Sequence, residues 1–125
     1  MMLLDSHVVL WALTDDPRLG TEARRAIAAS PIRYVSAITQ AEFTIKVMLG
    51  KLTVPEDLDS RLTALGLEPL PFTIRHAAGL HAFEELIRHA PFDRMLLAQA
   101  RVDGLTFLTA DQRLLGFDQV IDARL

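Results

Sequence analysis

Short apolar runs alternate along the chain with longer segments in which apolar residues recur every three or four positions. The short runs predict five strands, at "MLLD", "IRYVS", "LEPLPF", "LTFLT" and "QVIDA". The longer segments predict helices over residues 6–13, 21–29, 38–49, 55–65, 73–89 and 91–102, with a short helix at "DQRLL". Strands that alternate with helices pair in parallel through crossover connections. The pattern therefore predicts an α/β fold, with helices on both faces of a mostly parallel sheet of four or five short strands.

The length and composition limit the kind of protein this can be. A chain of 125 residues, 50% apolar and without internal repeats or linker-like runs, predicts one domain over residues 1–125. The absence of cysteine excludes disulfides and thiolate metal sites, so any metal ligands are carboxylates or histidines. No stretch approaches the roughly 20 apolar residues of a membrane span, and no basic segment precedes the first apolar run. We expect a cytoplasmic protein with no membrane partner.

The charge of the chain narrows its possible interactions with nucleic acid. The formal net charge of −3 argues against a strongly basic protein that binds nucleic acid non-specifically. It does not exclude a phosphate-binding cleft, because acids gathered around metal ions would make a cleft attractive to phosphates. We expect most of the dispersed arginines on solvated faces, namely Arg18, Arg24, Arg25 and Arg33.

Three aspartates are expected at one edge of the predicted sheet. Asp5 ends the first strand, Asp93 opens a helix and Asp111 follows the strand "LTFLT". In open α/β sheets, sites form beyond the carboxyl ends of the strands, where helix N-termini converge. Each aspartate also has a structural explanation by itself, as a helix cap or a first-turn acid. Their shared position at one edge favours a site.

Glu42 is harder to explain as a structural residue. The predicted apolar face of its helix consists of Ile38, Ala41, Ile45 and Leu49. Glu42 falls within that stripe, and a carboxylate on the core-facing side is costly unless it is paired. One interpretation is a buried salt bridge to an arginine such as Arg94. The other is a carboxylate that points into an acidic cluster held together by a divalent ion.

Several other polar or aromatic residues have weaker claims to a role. Arg94, next to Asp93, would neutralise an empty acid cluster or grip a substrate phosphate. Trp11 is expected in the core or at an interface rather than stacked on a base. The histidines share no metal spacing, and surface or helix-face positions are expected for His7, His76, His81 and His89.

The sequence around the four acids resembles that of one family, the PIN-domain ribonucleases, and in particular the VapC-type toxins of bacterial toxin–antitoxin pairs. The matching stretches are "LLDSHVVLWAL" around Asp5, "VSAITQAEFTIKVMLGKLTVPED" around Glu42, "HAPFDRMLLAQA" around Asp93 and "LTFLTADQRLLGF" around Asp111. They span nearly the whole chain in the order typical of the family. Ser6 departs from the threonine of many relatives, and Ala41 stands where a tryptophan is common. Both departures leave the carboxylates intact and concern substrate preference more than activity.

The resemblance implies a three-layer α/β/α PIN-like fold and Mg²⁺-dependent or Mn²⁺-dependent endonucleolytic cleavage of RNA. Metal ions held by carboxylates suit this reaction, because they activate water and offset the charge of the transition state. The implied ligands, which hold the metal directly or through waters, are Asp5, Asp93, Asp111 and Glu42. Glu42 has the alternative role of orienting the attacking water. Candidate contacts to the ligands, metal-bound water or substrate are Ser6, Arg94 and Thr109.

The resemblance also implies macromolecular partners besides the RNA substrate. VapC-type proteins usually form homodimers and are silenced by a small VapB-type antitoxin, as hetero-oligomers with it. The C-terminal segment of such an antitoxin enters the groove and places a basic side chain near the acids. An acidic cleft suits that partner electrostatically.

Two other functions stay open on the sequence alone. A phosphoryl-transfer enzyme would use Asp5 as its nucleophile, but no acid lies two residues further on and no partner lysine stands out. A catalytically degenerate module would bind RNA or an antitoxin-like peptide without cutting. The presence of all four acids argues against the degenerate module and favours the nuclease.

Overall fold

The computed structural model describes residues 1–86, 88 and 90–125. The strands are β1 (Met2–Leu4), β2 (Arg33–Ser36), β3 (Leu67–Leu70), β4 (Thr106–Thr109) and β5 (Val120–Asp122). The α-helices of the described part are α1 (Ser6–Leu13), α2 (Thr21–Ala29), α3 (Ala37–Met48), α4 (Leu58–Ala64), α5 (Ile74–Ala78) and α6 (Pro91–Val102). Two 3-10 segments span Gly79–Leu86 and Gln112–Leu114. Among these helices, none has the length and apolar character that a bilayer crossing requires.

The five strands form one parallel sheet in the order β3-β2-β1-β4-β5. β1 lies at the centre, where Leu3 is aligned with Tyr34 of β2 on one side and with Phe107 of β4 on the other. The chain builds outward from β1 to one edge of the sheet and then returns to build the other edge. The expected parallel α/β fold is thus confirmed. The carboxyl ends of β1 and β4 are neighbours at the place where the strand order reverses, which is where open α/β sheets form their sites.

Apolar side chains cover the sheet on both faces. Leu3 and Leu4 are adjacent in β1 and fully buried, and they belong to different core clusters because successive strand residues point to opposite faces. The cluster of Leu4 includes Val8 and Val9 of α1, while that of Leu3 includes Leu96 of α6. The result is the expected three layers, with helices on either side of the sheet.

The helix predicted over 55–65 is shorter than expected, since it begins only at Leu58. Its buried residues are Leu58 and Leu62, one helical turn apart, and they join the cluster that contains Leu67 of β3. None of residues 55–57 is buried, so no packing against the core holds them in a helix. The apolar periodicity therefore placed the start of this helix too early.

The helix predicted over 73–89 is interrupted, and its predicted end at His89 lies outside the described residues. After α5 the chain continues as the 3-10 segment Gly79–Leu86, in which Phe83 has φ −125° and ψ 45°. This backbone turns the Phe83 ring into the core, edge-on to Phe117 with ring centroids 5.3 Å apart. Burial of the aromatic ring outweighs continuation of the helix. The "DQRLL" helix is likewise a 3-10 turn, while the other elements begin and end close to their predicted bounds.

Candidate active site

Backbone geometry alone brings three of the predicted acids to the carboxyl edge of the sheet. Asp5 directly follows β1 and caps α1, where its Oδ1 accepts a hydrogen bond from the Ser6 N–H at 2.7 Å. Asp111 follows β4 and caps the short 3-10 turn, where its Oδ1 accepts from the Arg113 N–H at 3.0 Å. Asp93 lies in the first turn of α6. These are the capping and first-turn positions that carboxylates favour, and here they converge on one place.

A cleft of about 510 Å³ opens at this edge of the sheet. All four predicted acids line it, which are Asp5, Glu42, Asp93 and Asp111. Of the residues that the structure describes, the lysine and arginine side chains that line it are Arg18, Lys46, Arg113 and Arg124. The cleft therefore combines acids with cations, and its lining includes the residues that directly follow β1 and β4, which are Asp5 and Ala110.

Asp5 is the most deeply buried acid of the cleft, at 2% exposed. Its Oδ2 accepts a 2.6 Å hydrogen bond from the Thr109 hydroxyl of the neighbouring strand. Burial raises the pKa of Asp5 from 3.8 to about 6, the Thr109 hydrogen bond opposes that rise, and the negative charge of Asp93 adds to it. Two carboxylates that repel each other in a buried place are an arrangement that a cation would stabilise.

Glu42 is also buried, at 7% exposed, and both of its oxygens have partners. Oε1 accepts a 2.7 Å hydrogen bond from the Ser6 hydroxyl, which lies 3.1 Å from the hydroxyl of Thr39. Oε2 lies 2.7 Å from Lys46 Nζ, four residues further along α3. The cation beside Glu42 is thus a lysine on the same helix, and not Arg94, which the sequence suggested as a partner.

The predicted apolar face of α3 is wrong, although Glu42 is buried as expected. The buried residues of α3 are Thr39, Glu42 and Phe43. Ile45 is 45% exposed and Leu49 is 63% exposed, because the C-terminal half of α3 extends beyond the core. Glu42 is therefore buried beside polar groups at the cleft and not within an apolar stripe.

Asp111 and Arg94 differ from each other in their relation to the cleft. Arg113 holds Asp111 with its guanidinium as well as its N–H, through contacts of 3.2 Å to each carboxylate oxygen. The hydrogen bond to Asp111 raises the pKa of Arg113, and the charge of Asp93 adds to this effect. Arg94 is half-buried, and its Nε has no hydrogen-bond partner among the residues that the structure describes. It is not among the described residues that line the cleft.

The aromatic and histidine residues fall into different environments. Trp11 is a core residue as expected, and its ring also lines the cleft beneath the guanidinium of Arg18, 5.1 Å from the ring centroid. His7 lines the cleft and is exposed, as is His81 on the surface. His76 lies on helix α5, one of the two kinds of position expected, but its side chain is buried and not on the surface. It accepts from the Thr73 N–H in a capping box and lies 2.9 Å from an Asp103 oxygen, which ties α5 to the end of α6.

Sequence reasoning missed the basic side chains that pair with the acids. Lys46 follows Glu42 by four residues, and side chains with that spacing meet on one face of a helix. Arg113 follows Asp111 by two residues and closes a turn on its carboxylate. Both signals were present in the sequence, but local spacing alone does not show that the pair faces a cleft.

The chemistry of the acids fits a divalent cation such as Mg²⁺ or Mn²⁺, since carboxylate oxygens are the donors that these ions take in proteins. Residues of the described part do not form a group of three or more acids or histidines close enough together to hold such an ion. Lys46 contacts Glu42 and Arg113 contacts Asp111, so side chains of the protein already neutralise two of the acids that a metal ion would bind. The donor atoms are therefore of the type that Mg²⁺ or Mn²⁺ takes. An ion that binds Glu42 or Asp111 would meet Lys46 or Arg113 beside that carboxylate.

Comparison with protein families shows where the chain belongs. The family described as PIN domain matches residues 2–120, nearly the whole chain. This chain is a member of the PIN domain family. PIN domains are generally nucleases, and in this PIN domain the four predicted acids line one cleft at the expected edge of the sheet.

Solved structures of toxin–antitoxin complexes share the fold of this PIN domain. VapBC2 from Rickettsia felis, bound to a DNA fragment from its promoter, is 17% identical with a TM-score of 0.70 and coverage of 97% of this chain and 96% of the other. DNA-bound VapBC from Salmonella typhimurium is 21% identical with a TM-score of 0.70 and coverage of 98% of both chains. FitAcB from Neisseria gonorrhoeae is 27% identical with a TM-score of 0.56 and coverage of 89% and 88%. A search of curated proteins finds no match.

Proposed function

We propose that this PIN domain is the toxin of a VapBC-type toxin–antitoxin pair and acts as an Mg²⁺-dependent or Mn²⁺-dependent endoribonuclease. The observation that carries the proposal is the convergence of four acids from distant parts of the chain on one cleft. Family membership and the structural likeness to VapBC and FitAB complexes support it. No serine or cysteine is among the described residues that line the cleft. The acids therefore suit hydrolysis by an activated water and not attack by a side-chain nucleophile.

The proposed mechanism assigns the acids to two tasks. Asp5, Asp93 and Asp111 would hold the metal ion directly or through waters. Glu42 would bind the metal or orient the attacking water. When bound, the ion supplies a water that is nucleophilic near neutral pH and a counter-charge for the transition state.

Hydroxyl groups of the chain would fix the positions of the carboxylates. The Thr109 hydroxyl donates to Oδ2 of Asp5 and the Ser6 hydroxyl donates to Oε1 of Glu42, so a neutral hydroxyl anchors one oxygen of each acid. Such anchoring matters because a carboxylate that is held in the productive geometry loses no orientation when the ligand arrives. We propose these two hydroxyls as positioning residues.

The basic side chains at the cleft would contact the RNA backbone. The cleft is lined by three exposed arginines, Arg18, Arg113 and Arg124. Guanidinium groups bind phosphate through paired hydrogen bonds. The net charge of −3 offers no general attraction for RNA, so local cations would have to supply it. These residues account for binding of a phosphodiester next to the acids.

We also propose the partners and location that belong to this function. A VapB-type antitoxin would place a basic segment in the acidic cleft, since the structural neighbours are complexes of VapBC and FitAB. The toxin would form a homodimer or a hetero-oligomer with its antitoxin, and it would act in the cytoplasm, where its RNA is.

Cleavage of RNA by the purified protein, freed of antitoxin, tests the proposal. We expect cleavage with Mg²⁺ or Mn²⁺, none with EDTA, and a loss of about a hundredfold or more in Asp5→Asn, as for removal of one group that stabilises transition-state charge. Asp59→Asn is the matched control, because Asp59 is an exposed acid of α4 away from the cleft. Intact RNA with both metals, or equal cleavage by wild type and Asp5→Asn, would contradict the proposal.

A binding module without catalysis is the second candidate. It is favoured by the pairing of Glu42 with Lys46 and of Asp111 with Arg113, which leaves those acids neutralised by the protein itself. In the same assay this module would retain RNA or an antitoxin peptide on the protein but leave the RNA uncut at every metal concentration.

A further inference from the structure

The ion pair between Glu42 and Lys46 joins a buried acid to a lysine that reaches solvent. The Glu42 side chain is 9% exposed and the Lys46 side chain 39% exposed, and Nζ lies 2.7 Å from Oε2. Both residues line the cleft. Lys46 therefore occupies the cleft side of Glu42, at the oxygen that an incoming cation would take.

The two oxygens of Glu42 are held by groups of different kinds. Oε1 accepts from the Ser6 hydroxyl, a neutral group that is buried and lies beside Thr39. Oε2 is paired with the mobile end of a long, partly exposed side chain. If Lys46 swings away, Ser6 still fixes the carboxylate in place. The contact of Glu42 with Ser6 therefore persists, while its contact with Lys46 can be exchanged for another cation.

Asp5 shows a different solution at the same cleft. Its two oxygens accept from the Ser6 N–H and the Thr109 hydroxyl, which are neutral donors. A cation that approaches Asp5 displaces neither of these groups, whereas a cation that approaches Glu42 meets a like charge on Lys46. The two acids therefore differ in what their use as metal ligands requires.

We propose that Lys46 is an exchangeable internal counter-cation, which neutralises Glu42 while no metal ion is bound and must leave when a metal ion takes that carboxylate. The inference rests on the proposed metal-dependent function and adds a residue that controls it. Lys46 competes with the metal ion for one oxygen, so it lowers the metal affinity of the site without being a ligand. Once released, its ammonium group lies at the cleft where a substrate phosphate would bind.

Metal binding by the full chain, without RNA, tests this competition. Titration calorimetry with Mn²⁺ is expected to give a Kd about twofold to fivefold lower for Lys46→Gln than for wild type, the upper part of the range that follows from loss of a partly exposed ion pair. Lys51→Gln is the matched control, since Lys51 is exposed and lines a small pocket with Glu42 and Lys46 but makes no ion pair with Glu42 within the described part. Its Kd should change by less than about twofold.

Two further variants separate the contact from a general effect of charge. In a Glu42→Gln background, Lys46→Gln should leave the Mn²⁺ affinity unchanged, because the carboxylate for which Lys46 and the metal ion compete is absent. Lys46→Arg keeps the charge and the contact, so its Mn²⁺ affinity should stay at the wild-type value or fall below it. If Glu42→Gln does not fold, the comparison of Lys46→Arg with Lys46→Gln still decides the matter.

The possible results separate failure of this inference from failure of the proposed function. Equal tightening by Lys46→Gln and Lys51→Gln, or no change in Lys46→Gln, overturns the role of Lys46 and leaves metal-dependent cleavage intact. Absence of Mn²⁺ binding in wild type and in every variant overturns both. Tightening confined to Lys46→Gln, and abolished by Glu42→Gln, supports the exchange.

Discussion

Helices α3 and α6 are of equal length and each brings one acid to the cleft, but they do so in different ways. Asp93 lies in the first turn of α6, where the unpaired N–H groups and the helix dipole favour a carboxylate. Glu42 lies in the middle of α3, where the backbone offers it nothing and Ser6 and Lys46 hold it instead. A first-turn acid is placed by backbone geometry, whereas a mid-helix acid depends on side-chain partners.

The two helices also differ in which of their residues are buried. The buried residues of α6 form a continuous set over 96–100, of which four are apolar and the fifth, Gln99, accepts a hydrogen bond from the Ser36 hydroxyl. α3 has Thr39, Glu42 and Phe43 as its buried residues, and two of these three are polar. Most of the buried residues of α6 are therefore apolar, while α3 near the cleft depends more on satisfied polar groups.

The largest expected effect is on activity, from the acid of α6. Asp93→Asn should lower the rate of RNA cleavage by about 10²-fold to 10³-fold, since it removes a group that stabilises transition-state charge. It should change the free energy of unfolding by less than about 1 kcal/mol, because the lost interaction with the helix N-terminus offsets the relieved repulsion of Asp5. Single-turnover cleavage rates and urea denaturation of the same samples measure the two quantities. A parallel loss of stability would show that Asp93 is a structural cap instead.

The packing of the two helices predicts the next effect. Leu96→Ala in α6 should lower the free energy of unfolding by about 3 to 4 kcal/mol, since Leu96 is fully buried. Ile45→Ala in α3 should lower it by less than about 1 kcal/mol, since Ile45 is 45% exposed. Urea denaturation of both variants tests the contrast. Equal losses would mean that α3 packs as its apolar pattern suggested and not as the structure shows.

The pH dependence of stability offers a third test, in which the charge of Asp93 in α6 is compared with that of Glu42 in α3 through their effects on Asp5. The pKa of Asp5 is raised from 3.8 to about 6 in the folded protein, chiefly by burial. Between these values the folded state binds more protons than the unfolded state, so the free energy of unfolding should fall as the pH rises from about 4 to 6. The full fall from this group is about 3 kcal/mol, at 1.36 kcal/mol per pKa unit.

Denaturation in EDTA from pH 4 to 7 measures that fall, with Asp5→Asn as the variant that should lack it. Asp93→Asn should make the fall smaller, because the charge of Asp93 contributes to the raised pKa. Glu42→Gln, the corresponding change in α3, should alter it less. A larger effect from Glu42→Gln than from Asp93→Asn would reverse the proposed roles of the two helices.

A smaller loss of stability than that of Leu96→Ala is expected from the hydroxyl that holds the acid of α3. Ser6→Ala removes the donor to Glu42 Oε1 and should lower the free energy of unfolding by about 1 to 2 kcal/mol. Ser6→Thr keeps the hydroxyl and should restore most of that loss. Both are measured by urea denaturation. If Ser6→Ala is as stable as wild type, Lys46 alone suffices to hold Glu42.

The sequence was sufficient for features that depend on topology. Parallel strands bring their carboxyl ends to one edge, so the positions of Asp5, Asp93 and Asp111 after strands or at helix starts already implied a shared site. α6 could be predicted from Pro91 to Val102 because its start signal and its apolar face agree. Local pattern and global fold point to the same answer in that helix.

The rest depended on contacts between distant segments, which periodicity does not encode. Ile45 and Leu49 are apolar but exposed, because the core ends before the last turns of α3. The place of Glu42 follows from Ser6, which is 36 residues away in the chain. Phe83 breaks a helix because its ring packs on Phe117. In each case a tertiary contact decides between local structures that the sequence alone leaves equivalent.

The central position of β1 has a consequence for how the protein is made. Thr109, which fixes the carboxylate of Asp5, is synthesised 104 residues after it. A nascent chain that ends after α6 already contains Asp5, Glu42 and Asp93, yet it lacks β4 on which the cleft is built. On the proposed function, the nuclease cleft therefore forms only after β4 has been synthesised, and a nascent chain that stops before β4 has no complete cleft.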